Sequence, residues 1–183
     1  MISIPYLCPS FLKRSLVMKI LEEFSIPIGG LLNGEHKYKF RLNNSFFEAF
    51  ESKEIKDGKF EVEVTLNKFS TRTDFNFKIV GSFASICDRC LEEIRIDIES
   101  EYDLIGRYGI GEEEAEFFYI EDQNKPVNIA KFIFEFVNYS IPLMKVCKEK
   151  ENPACYELLD KINPNLEDEK NPMWEDLNKI NFN

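Results

Sequence analysis

Cysteine is the residue through which this chain is best placed to do chemistry. Cys87-Asp88-Arg89-Cys90 puts two thiols two residues apart. At that spacing both sulfurs can face one tetrahedral ion while the intervening turn aims backbone N–H groups at them. Cys147 and Cys155 form a second, looser pair, separated by seven residues. Four soft ligands with no redox partner nearby favour zinc over harder metals. A site that uses all four is closed and keeps no position for a catalytic water, so its product is stability, not turnover. Structural zinc supplies on the order of 10 kcal/mol of apparent binding free energy in small domains.

Other readings of the same residues stand beside this one. A redox pair needs its first cysteine at a helix N-terminus, where the dipole lowers the thiol pKa. Here Leu91-Glu92-Glu93-Ile94-Arg95-Ile96 comes next and alternates like a strand. Cys87 and Cys90 could instead be small buried hydrophobes, or only some of the four thiols could meet. Cys8 lies in the leading segment and is read as unrelated. The single histidine, His36, begins a strand-like run and reads as an exposed polar residue. Asp97, Glu99 and Glu101 share one strand face, which a solvated acidic surface explains as well as a glycosidase or metal site does. There is no Walker loop, dinucleotide fingerprint or nucleophile elbow. The expectation is a protein that is not an enzyme and takes no small-molecule substrate.

The elements that must position these thiols are legible from periodicity. His36 to Leu42 alternates strictly, as do Phe60 to Leu66 after the Asp57-Gly58 turn, Phe75 to Ile79, and Ile94 to Ile98. Phe46 to Phe50 reads as a helical turn, and Gly81 as a bulge that re-aims the chain before Cys87. Beyond an acidic loop near Gly109 to Glu116 the period changes. Ile129, Phe132, Ile133, Phe136 and Val137 fall at helical spacing, with Asn128 as N-cap and Pro142 beyond the end. The stripe is read as core packing. The expected fold is α+β: an antiparallel β-sheet or partly open barrel of short strands, one long amphipathic helix packed on it, and a zinc-knuckle-like Cys cluster. Residues 1–17 read as an extension, 18–162 as one domain, and 163–183 as an acidic tail with a short terminal helix around Trp174, Leu177 and Ile180.

Composition narrows the function classes. With 183 residues and 44% hydrophobic content the chain can bury one sizeable core. Its 33 acids against 23 basic residues give no overall attraction to phosphate, so any RNA contact must be local. Leu91 to Glu121 holds eleven acids against Arg95 and Arg107, either a solvated face or a docking surface for a basic partner. No apolar run is long enough to span a membrane, and Pro5, Pro9, Lys13 and Arg14 spoil the opening segment as a signal peptide. A cytoplasmic protein is expected, with its cysteines serving metal or chemistry instead of disulfides.

Cys87-Asp-Arg-Cys-Leu-Glu-Glu-Ile resembles the Cys-x-Arg-Cys-Leu signature of the YceD-type large ribosomal RNA subunit accumulation family. The order of the later segments is similar too: an acidic loop, the Asn128 to Pro142 helix, Cys155 after Pro153, and Asn171-Pro-Met-Trp-Glu-Asp-Leu177. Met18 to Gly34 resembles the version found in Bacteroidetes-type members, so the likeness covers Met18 to Ile180. Cys147 falls where related sequences often carry His, which also ligates zinc, and Met173 where an arginine is common. The resemblance implies a requirement for normal accumulation or processing of large-subunit (23S) ribosomal RNA, with no catalytic activity. Two mechanisms fit it. Arg89, Lys145, Lys148 and Lys150 near the knuckle would meet the rRNA or its assembly intermediates, with binding that weakens steeply in salt. Alternatively, the acidic strand and loop would capture a basic ribosomal or assembly protein without touching RNA. A third reading makes the CxxC pair a thiol oxidoreductase, with a lowered pKa at Cys87.

Overall fold

Alternating apolar residues need a second layer to bury their common face. In the computed structural model, which describes residues 18–111, 117–148, 153 and 155, that layer is a helix laid on a sheet. The order of elements is β1 (Ser25–Ile26), a 3-10 turn (Ile28–Gly30), β2 (Gly34–Leu42), α1 (Asn44–Ala49), β3 (Gly58–Lys68), β4 (Arg72–Ile86), β5 (Glu93–Tyr108), β6 (Phe117–Ile120), β7 (Val127–Asn128) and α2 (Ala130–Tyr139). Residues 18–22 are also helical. Five strands form one sheet in the order β2-β3-β4-β5-β6, and β1 pairs with β7 separately.

By Cα packing the chain divides into two compact units. Among the described residues the first takes in those up to Ser85 and from Arg95 to Met144, the second Ile86–Ile94 and those from Lys145 onward. In the first unit Phe60, Val62, Val64 and Leu66 are all buried, as their alternation requires. Tyr38 and Phe40 of β2 lie opposite Val64 and Val62. On the other face Lys39 meets Glu63 at 3.2 Å and Arg41 meets Glu61 at 3.4 Å. Exposed pairs of this kind contribute at most about 1 kcal/mol each, so the buried face decides the register.

Two strands are much longer than their apolar runs. β4 has 15 residues and β5 has 16, in place of the short strands that periodicity suggests. The excess is carried by inward polar groups that find partners: Thr73 Oγ1 lies 2.6 Å from the Tyr108 hydroxyl, and Ser100 Oγ lies 2.7 Å from Ser140 Oγ. Strand β6 has no counterpart in the sequence pattern, which passes from the acidic loop to the helix. It runs parallel to β5, with Ile105 opposite Phe117 and Tyr108 opposite Ile120, so the sheet is mostly, not wholly, antiparallel.

Helix α2 has ten residues, not the long span expected. Asn128 is drawn into β7 opposite Ser25, yet its Oδ1 still accepts from the Ala130 N–H at 3.0 Å, as a cap one step early. Asn138 Nδ2 donates to the Phe134 carbonyl at 2.7 Å, and Ser140 Oγ donates to the Phe136 carbonyl at 2.7 Å, satisfying the last turn. The apolar stripe is core, as read: Ile129, Ile133, Phe136 and Val137 are buried, and Phe132 is half-buried. Phe136 stacks on Tyr102 at 4.6 Å and meets the Phe77 ring at 5.1 Å, while Phe134 stacks on Phe50 at 4.4 Å. Such ring pairs add about 1 kcal/mol each beyond area burial.

Gly81 makes no bulge. Pairing of β3 with β4 runs unbroken through it, Gly81 opposite Phe60. The residue is small for a different reason: a methyl group there would sit 2.7 Å from Phe60 Cα and press on the Lys59 carbonyl oxygen, both backbone atoms. Gly81→Ala is therefore expected to destabilise the fold by about 2 kcal/mol through overpacking, visible as a lower midpoint in urea with unchanged slope.

Candidate metal centre

The second unit gathers the chemistry. At the end of β4 the chain leaves the sheet for a turn over residues 88–90, and β5 begins at Glu93. The turn closes on itself: Leu91 N–H donates to the Cys87 carbonyl at 3.0 Å, and Cys87 N–H donates to the Glu92 carbonyl at 2.8 Å. Arg89 N–H points at Cys87 Sγ, 3.4 Å away. Closing so tight a turn leaves Leu91 at φ 62°, the left-handed region. For a bulky side chain that conformation costs on the order of 1–2 kcal/mol.

The segment after α2 docks on this turn through Asp88. Asp88 N–H donates to the Lys145 carbonyl at 2.7 Å, and Lys145 N–H donates to Asp88 Oδ2 at 2.6 Å. This reciprocal clasp brings Cys147 to the first pair, and Cys155 completes the group. All four sulfurs lie within 4.8 Å of one another. Cys87 Sγ is 3.8 Å from Cys155 Sγ, and Cys90 Sγ is 3.5 Å from Cys147 Sγ. A tetrahedron of Zn–S bonds of about 2.3 Å has an edge of about 3.8 Å, so the sulfurs already stand near that spacing. They are too far apart for disulfides, whose S–S bond is about 2.05 Å, and all four thiols are free. Cys87, Cys147 and Cys155 are buried, with Ile94 and Val146 packed against them.

Such a cluster has an electrostatic problem that a cation solves. Burial pushes Cys87 up, but N–H groups of Cys90, Arg89 and Cys147 and the Cys147 thiol more than offset it, bringing the thiol down to about 6. Cys147 moves the opposite way, raised first by burial and then by its sulfur neighbours, and Cys155 is raised by burial first. One thiolate thus forms at the expense of its neighbours, and only a positive ion lets all four ionise together. The donors around Cys87 also bear on the oxidoreductase reading. Its pKa is indeed lowered, but by turn amides and not a helix, and Cys87 is 0% exposed where a reactive thiol needs access.

All four cysteines expected as ligands come together; Cys8 lies outside the described residues. Of the expected RNA contacts, Arg89 and Lys145 are half-buried, Lys148 is exposed, and Lys150 lies outside the described residues. His36 is half-buried, its Nε2–H donating to the Leu32 carbonyl at 2.9 Å. Asp97, Glu99 and Glu101 share the exposed face of β5, where Asn76 Nδ2 donates to Glu101 at 2.7 Å and to Asp103 at 2.9 Å. The residue that sequence reasoning missed is Asp88. The signal was present, since an aspartate inside a tight turn commonly bonds a backbone N–H, but its partner is far along the chain.

A mixed α+β scaffold carrying a four-cysteine cluster is the class these observations define. The family described as large ribosomal RNA subunit accumulation protein YceD matches residues 75–181, a span that contains all four cysteines. That is more than half of the chain, and the chain belongs to this family. No curated protein and no solved structure matches it. Among the described residues no helix is long and apolar enough to cross a membrane.

Because Asp88 and not a sulfur holds the two ligand segments in register, Asp88→Ala should leave four thiols but weaken cobalt(II) binding about tenfold. Asp88→Asn, which keeps an acceptor oxygen, should recover most of the loss; a visible-absorbance titration checks both.

Proposed function

We propose that the chain is a non-enzymatic accessory factor for accumulation of large-subunit (23S) ribosomal RNA or for ribosome assembly, built around a structural zinc. Family membership supports the pathway. The observation that carries the mechanism is the set of four sulfurs within 4.8 Å, near tetrahedral spacing and mostly buried. Cys87, Cys90, Cys147 and Cys155 would fill every position of a four-coordinate ion and leave none for water or substrate. Bound zinc would supply fixed positive charge and a clamp between the β4–β5 turn and the segment after α2.

The chain's own residues do the rest. Amides of the turn stabilise the Cys87 thiolate, and the Asp88 clasp sets the second pair in place. Lys148, exposed beside Cys147, is the best-placed of the basic residues to meet phosphate, with Arg89 and Lys145 closer in. Contact with the rRNA runs either through these residues or through a ribosomal protein. The cytoplasm, where ribosomes are assembled, is the compartment this reading implies.

Elemental analysis of the purified chain should find about one zinc per chain, lost in Cys90→Ser. Cells carrying only Cys90→Ser should show a reduced ratio of large- to small-subunit rRNA; an unchanged ratio with zinc absent would detach the ion from the function. Because Cys147 and Cys155 hold their protons in the metal-free chain, zinc uptake expels protons. Affinity should therefore rise with pH, measured by chelator competition on either side of neutrality.

A further inference from the structure

Solvent reaches the four cysteines unequally. Cys87, Cys147 and Cys155 are 0%, 3% and 1% exposed, whereas Cys90, at the close of the turn, is only half-buried. A small oxidant arriving from water therefore meets Cys90 first, because oxidation of a cysteine depends on access as well as on ionisation. The Cys90 sulfur also has a neighbour placed to bond it. Cys147 Sγ lies 3.5 Å away and belongs to the other ligand segment, 57 residues further along the chain. Shortening that gap to an S–S bond of about 2.05 Å moves each sulfur by under about 1 Å. Cys87 Sγ is engaged elsewhere: it accepts from the Arg89 N–H at 3.4 Å and faces Cys155 Sγ at 3.8 Å.

We infer that the cluster is an oxidant-responsive switch, in which hydrogen peroxide joins Cys90 to Cys147, and not to Cys87, in a disulfide that expels the bound ion. Coordinated thiols are ionised outright, so in the loaded chain distance and not protonation chooses the partner. The Cys90 thiolate attacks the peroxide O–O bond, becoming a sulfenic acid and releasing hydroxide. The Cys147 thiolate then attacks the Cys90 sulfur, forming the S–S bond and releasing a second hydroxide. Two electrons pass from the sulfurs to one peroxide. Cys87 and Cys155, buried together, remain unoxidised, and two thiolates hold an ion far more weakly than four. The new bond nevertheless joins the same two segments as the ion did and closes a long loop, so the knuckle stays shut while its ion leaves. In a reducing compartment such a bond is transient, which suits a reversible signal. The inference rests on the proposed function for the ion and deepens it by making retention of that ion depend on the redox state of one cysteine pair.

The test titrates the full chain as purified with hydrogen peroxide, quenches samples by alkylation, and maps the disulfides by mass spectrometry without reduction. A chromogenic chelator follows released zinc in parallel. The expected result is a Cys90–Cys147 link ahead of every other, about one zinc released per link, and Cys87 and Cys155 still open to alkylation after denaturation. Dithiothreitol should restore zinc binding, and the linked chain should melt above the metal-free reduced chain because its long loop is closed. A first link between any other two cysteines, zinc lost without a disulfide, or a linked chain that melts no higher than the metal-free reduced one overturns the inference. Zinc present in the parent but retained after the link forms overturns it too, while leaving the proposed function intact. A parent that holds no zinc yet links Cys90 to Cys147 first counts against the proposed function and leaves the order of sulfur chemistry upheld.

Discussion

Four sulfur atoms within 4.8 Å of one another cannot all carry negative charge in a buried site unless something positive stands among them. That constraint organises the second unit. Turn amides are spent on one thiolate, the neighbouring thiols keep their protons, and the clasp between Asp88 and Lys145 holds the geometry in which a bound cation would resolve the conflict. The sheet and helix of the first unit meet no comparable difficulty. Their cohesion is ordinary apolar burial, with ring against ring where α2 lies on β4 and β5.

Much of this is legible in the residues alone. Period-two runs such as Phe60 to Leu66 admit one sensible burial pattern, and the structure follows it. The grouping of Cys87, Cys90, Cys147 and Cys155 can be read too, because a pair of cysteines two apart followed by a second pair points to one converging cluster. The hidden elements depend on partners distant in sequence. Strand β6 is only four residues long, comes after an acidic stretch and pairs in parallel, so nothing in its own pattern announces it. β4 and β5 outrun their apolar runs because Thr73 and Ser100 meet hydroxyls elsewhere.

Small residues mislead in an instructive way. A glycine in a strand fits a bulge or a close approach equally well, and only the unbroken register at Gly81 separates them. Conversely, Leu91 occupies a backbone state normally signalled by glycine, so no sequence rule locates that turn's closing residue. Local conformation there is dictated by the hydrogen bonds between Leu91 and Cys87 and between Cys87 and Glu92, against the preference of the side chain.

The separation of the thiols also sets the order of events during synthesis. Cys87 and Cys155 are 68 residues apart, so the first pair leaves the ribosome well before the last ligand exists. Under the proposed metal site, a nascent chain halted anywhere in that interval would own at best an incomplete coordination sphere, open to water and easily stripped. If the four thiols hold an ion as proposed, only translation through the fourth cysteine would close that sphere, and tight retention of the ion would mark chains whose synthesis has passed that point.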